Sequence, residues 1–333
     1  MKRTNRWIAA AAAFFMMSTC LNVTANETDT SQITLVLASK EECADIISGY
    51  DSFYEDLSQK SIDFFLQKKG GTSDEYRIYA AEQACEWTDE EAAYLTERME
   101  AVEAKLAERG MILPKETVYT VAATTMKEAG DAGGYTHGTT AFLSERMIAA
   151  SVENENSGLQ QYYDSQIEEV LAHELFHCLT RNNPDFREAM YSIIHFKVND
   201  KDFEIPEYVH EQMIANPDVE HHDSYASFTI DGEEKDCYLV FLCDGEFEKE
   251  GDTFFDTMYT GVVTVDDGTM YRADEVEDFW DVLGRNTYYV EDPEECMATN
   301  FSYAVCYGMD GQTGEGYESP EIIEAIIDYC SGK

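Results

Sequence analysis

Basic residues are what this chain has least of. Only 23 Lys and Arg stand against 67 Asp and Glu in 333 residues, a formal net charge of −44. Such an exterior repels a phosphate backbone, which excludes nucleic acid as a natural partner and disfavours anionic membrane surfaces. Long apolar runs are missing as well. Past residue 25 no stretch approaches the roughly 18 apolar residues of a membrane-spanning helix. No C-x-x-C pair occurs among the nine cysteines, which argues against a cysteine-rich zinc knuckle or a thioredoxin-like redox site. No internal repeat or low-complexity tract stands out. What the chain does carry is 44% hydrophobic and 12% aromatic residues, enough to bury a core, in a length suited to two average domains or one large domain with an insertion.

Lys2, Arg3 and Arg6 precede the apolar run Trp7 to Met17, and small and polar residues follow. That is the order of a secretory signal, so residues 1–25 are expected to be removed and the mature protein to be secreted and soluble. Val23-Thr24-Ala25 offers small residues for cleavage before Asn26. Met17-Ser18-Thr19-Cys20 competes as an imperfect lipoprotein box, which would leave a lipid anchor at Cys20. Cleavage leaves Cys43, Cys85, Cys178, Cys237, Cys243, Cys296, Cys306 and Cys330. An even number suits disulfide pairing in an oxidising compartment, although spacing alone does not choose the pairs.

Asn26 to Gln32 forms a polar linker. Glu41 to Lys69 carries Ile46, Ile47, Phe53, Leu57, Phe64 and Phe65 near helical spacing before Gly70-Gly71 stops it. A second helix opens at Thr88, with Glu91 as its capping partner, and closes at Gly110. Residues 26–110 are therefore expected to form a helical N-terminal region. From Met111 the pattern changes: Val118 to Thr124 and Tyr135 to Ser144 have the β-branched and aromatic content of strands, around the turn-rich Gly130 to Gly134. Helices follow over Ser165 to Arg181 and Pro184 to Phe196. Within 199–290, Ser227 to Ile230, Lys235 to Cys243 and Phe254 to Val265 indicate a β-rich insertion. The chain ends in helices opening at Pro293 and Pro320, the second burying Ile322, Ile323, Ile326 and Ile327. The expected fold class is α+β, with 111–333 as one domain holding the insertion.

His173-Glu174-Leu175-Phe176-His177 is an H-E-x-x-H motif. Ser165 and Glu168 form a capping-box pattern ahead of it, Ile167, Val170, Leu171, Leu175, Phe176 and Leu179 supply apolar content, and Asn182-Asn183-Pro184 ends the run. Positions four apart share a helix face, so both imidazoles can reach one metal ion, and Glu174 stands beside the open coordination position as a general base. The bland alternative is a buried helix whose histidines bond neighbouring carbonyls.

Pro293-Glu294-Glu295-Cys296-Met297-Ala298-Thr299-Asn300-Phe301 resembles the third-ligand helix of the gluzincin clan of metallopeptidases, in which the liganding Glu is followed three residues later by Ala. The resemblance implies a zincin-like catalytic domain, one Zn2+ held by His173, His177 and Glu295, and Glu174 as general base. It also implies Tyr288, seven residues before Glu295, as the tyrosine that lethal-factor-like gluzincins aim at developing negative charge. Two alternatives stay open. As the third residue after an Asp292 cap and Pro293, Glu295 could belong to a capping box and leave Glu294 as the ligand, and Tyr289 competes with Tyr288. The spacer from His177 to Glu295 is far longer than in the best-known gluzincins, a length that the β-rich insertion explains. The layout is also similar to a group of secreted bacterial proteins with this zinc signature.

The metzincin pattern is excluded, since no Gly and third His shortly follow His177. His195 could coordinate, but its amphipathic helix makes a packed or surface histidine the simpler reading. His221-His222 follow Asn216-Pro217-Asp218 in a polar loop. His137 lies on the Tyr135 to Ser144 strand, the candidate edge for an extended substrate. The function expected is an exported zinc metalloendopeptidase acting on a peptide or protein. The competing class is a non-catalytic exported binding protein whose structural or vestigial zinc takes a fourth protein ligand, such as Cys178 or His195.

Overall fold

The computed structural model describes residues 32–114 and 117–333. The expected signal segment, both processing sites and Cys20 lie outside them. Strand β1 (Ile33–Leu37) leads into helices α1 (Lys40–Gly49), α2 (Asp51–Glu55), α3 (Gln59–Leu66) and α4 (Ser73–Glu82), then a short β2 (Ala84–Cys85) and the long α5 (Asp89–Glu108). Ser39, Thr72 and Thr88 each close a capping box with a Glu three residues on, so α1, α4 and α5 begin where their orphan N–H groups find a side chain. The expected Thr88–Glu91 start of α5 is met. The Glu41–Lys69 helix is instead three helices, the third restarted by the Ser58 cap.

Next come β3 (Thr117–Thr124), β4 (Gly134–His137), β5 (Thr140–Ser144), α6 (Glu145–Glu153), α7 (Gln160–Asn182) and α8 (Pro184–Ile193). The first sheet has the order β1-β3-β5-β4, with β2 attached to β3. β1, β3 and β5 run parallel, while β4 returns antiparallel to β5 through a tight hairpin. β1 corrects the all-helical expectation for the N-terminal region. Its pairing with β3 joins residues from both sides of position 110 in one sheet, and Gln32–Lys333 pack as one unit.

The second sheet lies where the β-rich insertion was expected. β6 (Lys197–Val198), α9 (Glu207–His210), β7 (Ser224–Ile230), β8 (Glu233–Cys243), β9 (Met258–Thr264) and β10 (Met270–Arg272) give an antiparallel order β10-β9-β8-β7-β6. α10 (Phe279–Leu283), α11 (Pro293–Tyr307) and α12 (Pro320–Cys330) complete the chain, so the fold is α+β. α11 is buried along nearly its whole length and packs on α7. Phe301 meets Phe176 at 5.4 Å between ring centres, and Ala298 has no exposed surface, as a close helix approach requires. Each such buried Leu or Phe contributes about 1.5–3 kcal/mol. The core they share with Tyr119 and Val121 of β3 fixes α7 against the sheet.

All eight described cysteines are free thiols and seven are buried, contrary to the disulfide expectation. Burial pushes the Cys178, Cys237, Cys296, Cys306 and Cys330 thiols up to about 12. They pack as small apolar groups. Among the described residues no helix is long and apolar enough to cross a membrane.

Candidate metal centre

α7 starts at Gln160, five residues before the expected cap. Ser165 sits inside the helix and donates its Oγ to the Gln161 carbonyl at 2.8 Å, while Glu168 turns to Arg98 and Lys105. The capping-box pattern there is thus an interior ion-pair site. One turn further on, His173 and His177 share a face with ring centres 4.9 Å apart. His177 has no exposed surface and His173 little.

The carboxylate comes from the first turn of α11. Asp292 caps it by accepting from Glu294 N at 2.8 Å, and Pro293 occupies the first helical position. No capping box with Glu295 forms, and the two adjacent glutamates diverge. Glu295 Oε2 lies 3.0 Å from His173 Nε2 and 4.0 Å from His177 Nε2, while its Oε1 accepts from Asn216 Nδ2 at 2.6 Å. Glu294 accepts from His177 Nδ1 at 2.9 Å, Thr180 Oγ1 at 2.6 Å and the Tyr191 hydroxyl at 2.5 Å. Glu295 therefore joins the histidines, and Glu294 orients one of them. With Nδ1–H on a carboxylate, His177 in its neutral form presents Nε2 as an acceptor, and that buried atom has no hydrogen-bond partner.

Two overlapping sets of donors converge here, His173 with His177 and Glu295, and Glu174 with His177 and Asp218, each within 4.8 Å. Tetrahedral ligands about 2.1 Å from an ion sit about 3.4 Å from one another. His173–Glu295 at 3.0 Å, His177–Asp218 at 3.8 Å and His177–Glu295 at 4.0 Å bracket that spacing. The residues therefore fit a metal ion. Glu174 stands one residue past His173, and its Oε2 accepts from Thr136 Oγ1 at 2.8 Å. A Cβ on Gly134 of β4 would come 2.7 Å from its Oε1, so glycine makes room for this carboxylate.

The charges do not balance. Buried Glu174, Asp218, Glu291, Glu294 and Glu295 face two imidazoles and Arg181. Burial, then Asp218, pushes Glu174 well up. Burial likewise raises Asp218 to about 6, with His177 opposing, and burial beside Glu295 lifts Glu291. For Glu295 the upward push of burial is outweighed by the His173 hydrogen bond and the two imidazoles, which hold it below the usual carboxylate range. Burial would depress both histidines, yet Glu295 raises His173, and Asp218 and Glu294 raise His177. Such a set of donors is short of positive charge.

Tyr288 is not brought to the cluster. It is 76% exposed and its ring packs edge-on to Trp280 at 5.4 Å. Its neighbour Tyr289 is less exposed, at 41%, with its phenol beside Glu291, and burial, then the Glu291 charge, pushes it well up. Tyr289 also lines a small pocket with Gly134, Tyr135, Asp218 and Phe254. His195 is exposed at a left-handed position after α8, and His221 is exposed beside Asp202. Cys178 is buried and belongs to neither donor set. His137 sits among the rings of Tyr50, Phe53, Tyr135 and Phe142, away from the donors, and burial drives its pKa well down. The strand expected over Tyr135 to Ser144 is the β4–β5 hairpin, whose β4 edge is covered by the loop at 216–220.

Asp218 and Asn216 were not found from sequence. They lie in an Asn-Pro-Asp turn, where Asp218 N donates to Asn216 Oδ1 at 2.9 Å. Turn residues carry no periodicity that would tie them to a distant helix. Comparison with protein-family models, curated proteins and solved structures finds no match to this chain.

Proposed function

We propose that this protein is a zinc-dependent metallopeptidase with a zincin-like catalytic centre, acting outside the cytoplasm on peptide or protein substrates. The observation that carries this reading is His177, a fully buried ring with Nδ1 fixed by Glu294 and Nε2 without a partner among converging donors. A buried acceptor left unsatisfied costs about 1–3 kcal/mol, and a cation at this point satisfies it. Two imidazoles and one carboxylate suit Zn2+ better than Ca2+ or Mg2+, which prefer oxygen donors. The arrangement of a carboxylate on the far nitrogen of a liganding histidine is also the usual support of such ligands.

His173, His177 and Glu295 would hold the ion. When bound, it would supply Lewis acidity toward a carbonyl and bring the pKa of water down to about 7. The remaining work falls to the side chains. Thr136 holds one oxygen of Glu174 and leaves the other to take a proton from water and deliver it to the leaving nitrogen. Glu294, Thr180 and Tyr191 fix the His177 ring. Tyr289, rather than Tyr288, is the phenol within the pocket that can donate to developing negative charge.

The test is cleavage profiling of proteome-derived peptides by the purified protein beside Glu174→Gln, with metal content measured for both. One zinc per chain in both proteins and turnover reduced by about 10²–10⁴-fold in the variant is the expected result. Undiminished turnover in Glu174→Gln would remove the general base, and protein that takes up no zinc would remove the reading as a whole.

A further inference from the structure

The Asn216–Glu220 loop has no role in the reaction just described, yet it reaches the centre of the site. Asp218 Oδ1 stands 3.8 Å from His177 Nε2, the same unpartnered atom that Glu295 Oε2 faces at 4.0 Å. Asp218 is buried and arrives from the side where Glu174 stands.

The same loop seals the edge of the first sheet. Thr136 N of β4 donates to Asp218 Oδ1 at 2.6 Å, and Gly138 N donates to Glu220 Oε1 at 3.0 Å. These are backbone donors that an added strand would use. Arg181, one turn past His177 on α7, fastens the loop from beneath. Its guanidinium donates to the carbonyls of Pro217 at 3.2 Å, Asp218 at 3.0 Å and Gly138 at 2.9 Å, and lies 3.3 Å from Glu220. The Tyr50 hydroxyl donates to Glu220 as well.

We propose that Asp218 is an internal fourth ligand of the metal site and that the Asn216–Glu220 loop is a strap lying where an extended substrate would pair with β4. The folded chain is then a closed form of the site, opened when the strap leaves β4 and Asp218 gives up its position. This inference rests on the metal site proposed above and adds its regulation. It is a device of geometry: one carboxylate satisfies both the coordination position next to Glu174 and the substrate-binding edge, so both are released together.

The experiment loads the purified protein with Co(II) as a spectroscopic stand-in for zinc, and measures the visible absorption and the affinity by chelator competition. Wild type, Asp218→Ala, Asp218→Asn and Glu295→Gln are compared, with circular dichroism as the check on folding. Asp218→Ala is expected to weaken affinity by about 10–100-fold and to alter the visible band, with added acetate restoring the wild-type band. Asp218→Asn keeps an acceptor for Thr136 N, so it reads the loss of the carboxylate charge alone and should show the same shift if Asp218→Ala fails to fold. Peptide hydrolysis should rise in both variants. A band and affinity identical to wild type in the folded Asp218 variants would overturn the strap while leaving the three-residue site intact. Loss of uptake in Glu295→Gln alone would give that pattern, whereas wild-type protein that binds no Co(II) or zinc would overturn both proposals together.

Discussion

Helix α7 carries two charge clusters one to two turns apart, and they are built on opposite principles. Around Glu168 the charges cancel. Arg98 lies 3.0 Å from Glu168 and 3.0 Å from Asp164, and Lys105 lies 2.5 Å from Glu168, so the two inward-facing carboxylates meet two cations, with the largely exposed Glu97 as a further partner of Arg98. Around His173 and His177 they do not cancel, because Glu174, Asp218, Glu291, Glu294 and Glu295 outnumber the available positive groups. A self-neutral network holds α5 to α7 and asks nothing of solvent. A cation-deficient one offers converging donors that could hold an exogenous ion. Both clusters lie on the same helix, but the second is the more deeply buried, with His177 and Glu295 almost fully enclosed while Lys105 and Asp164 of the first stay half-buried.

The largest expected effect separates them by ligand. Zinc at about a thousand times its dissociation constant should stabilise the wild-type protein by about 4 kcal/mol, raising the thermal midpoint, and a chelator should reverse the change. Glu168→Ala should retain this response and His177→Ala should lose it. Thermal melts with and without zinc decide the matter, and an equal response in both variants would erase the distinction between the clusters.

Next in size is the structural cluster itself. Glu168→Ala leaves Lys105 without its buried partner while Asp164 still holds Arg98, so the loss should fall near 3 kcal/mol, the low end for breaking a buried pair. Urea denaturation would measure it, and zinc affinity should not move. The smallest effect sharpens the metal centre. Glu294→Gln keeps the volume but exchanges a charged acceptor for a neutral one on His177 Nδ1, so zinc affinity should fall by about 10–100-fold at little cost in stability. Chelator competition reads that change, and a loss as complete as that of Glu295→Gln would make Glu294 a ligand instead of a support.

Local signals were readable in advance wherever neighbours in sequence are neighbours in space. The Thr88–Glu91 box starts α5, Pro293 and Pro320 open α11 and α12, and of the four isoleucines expected inside, Ile322, Ile323 and Ile326 are buried and Ile327 half-buried. The three strands of the insertion fall within a few residues of their expected limits. The helical repeat puts His173 and His177 on one face, a local feature, whereas Glu295, expected from the resemblance of its helix with Glu294 left open, meets them only through the packing of α11 on α7. Other expectations failed where two local readings were equally good. Ser165 with Glu168 has the letters of a cap, but residues 160–164 continue the helix backward, since Arg98 and Lys105 of α5 take the glutamate. β1 is five residues long and alternates in exposure, too brief to register against the helices after it until β3 pairs with it.

What the amino-acid order determined alone is the helix with two imidazoles on one face, the acidic exterior and the alternation of strands and turns in the insertion. These depend on spacing and composition, which a chain possesses before it folds. Tertiary structure decided which of two adjacent glutamates faces the histidines, which of two adjacent tyrosines lies beside Glu291, that eight thiols remain unpaired, and that Asp218 from a turn closes over the site. Each of those outcomes is a choice of direction for a side chain, and direction is set only when distant segments compete to occupy the same space.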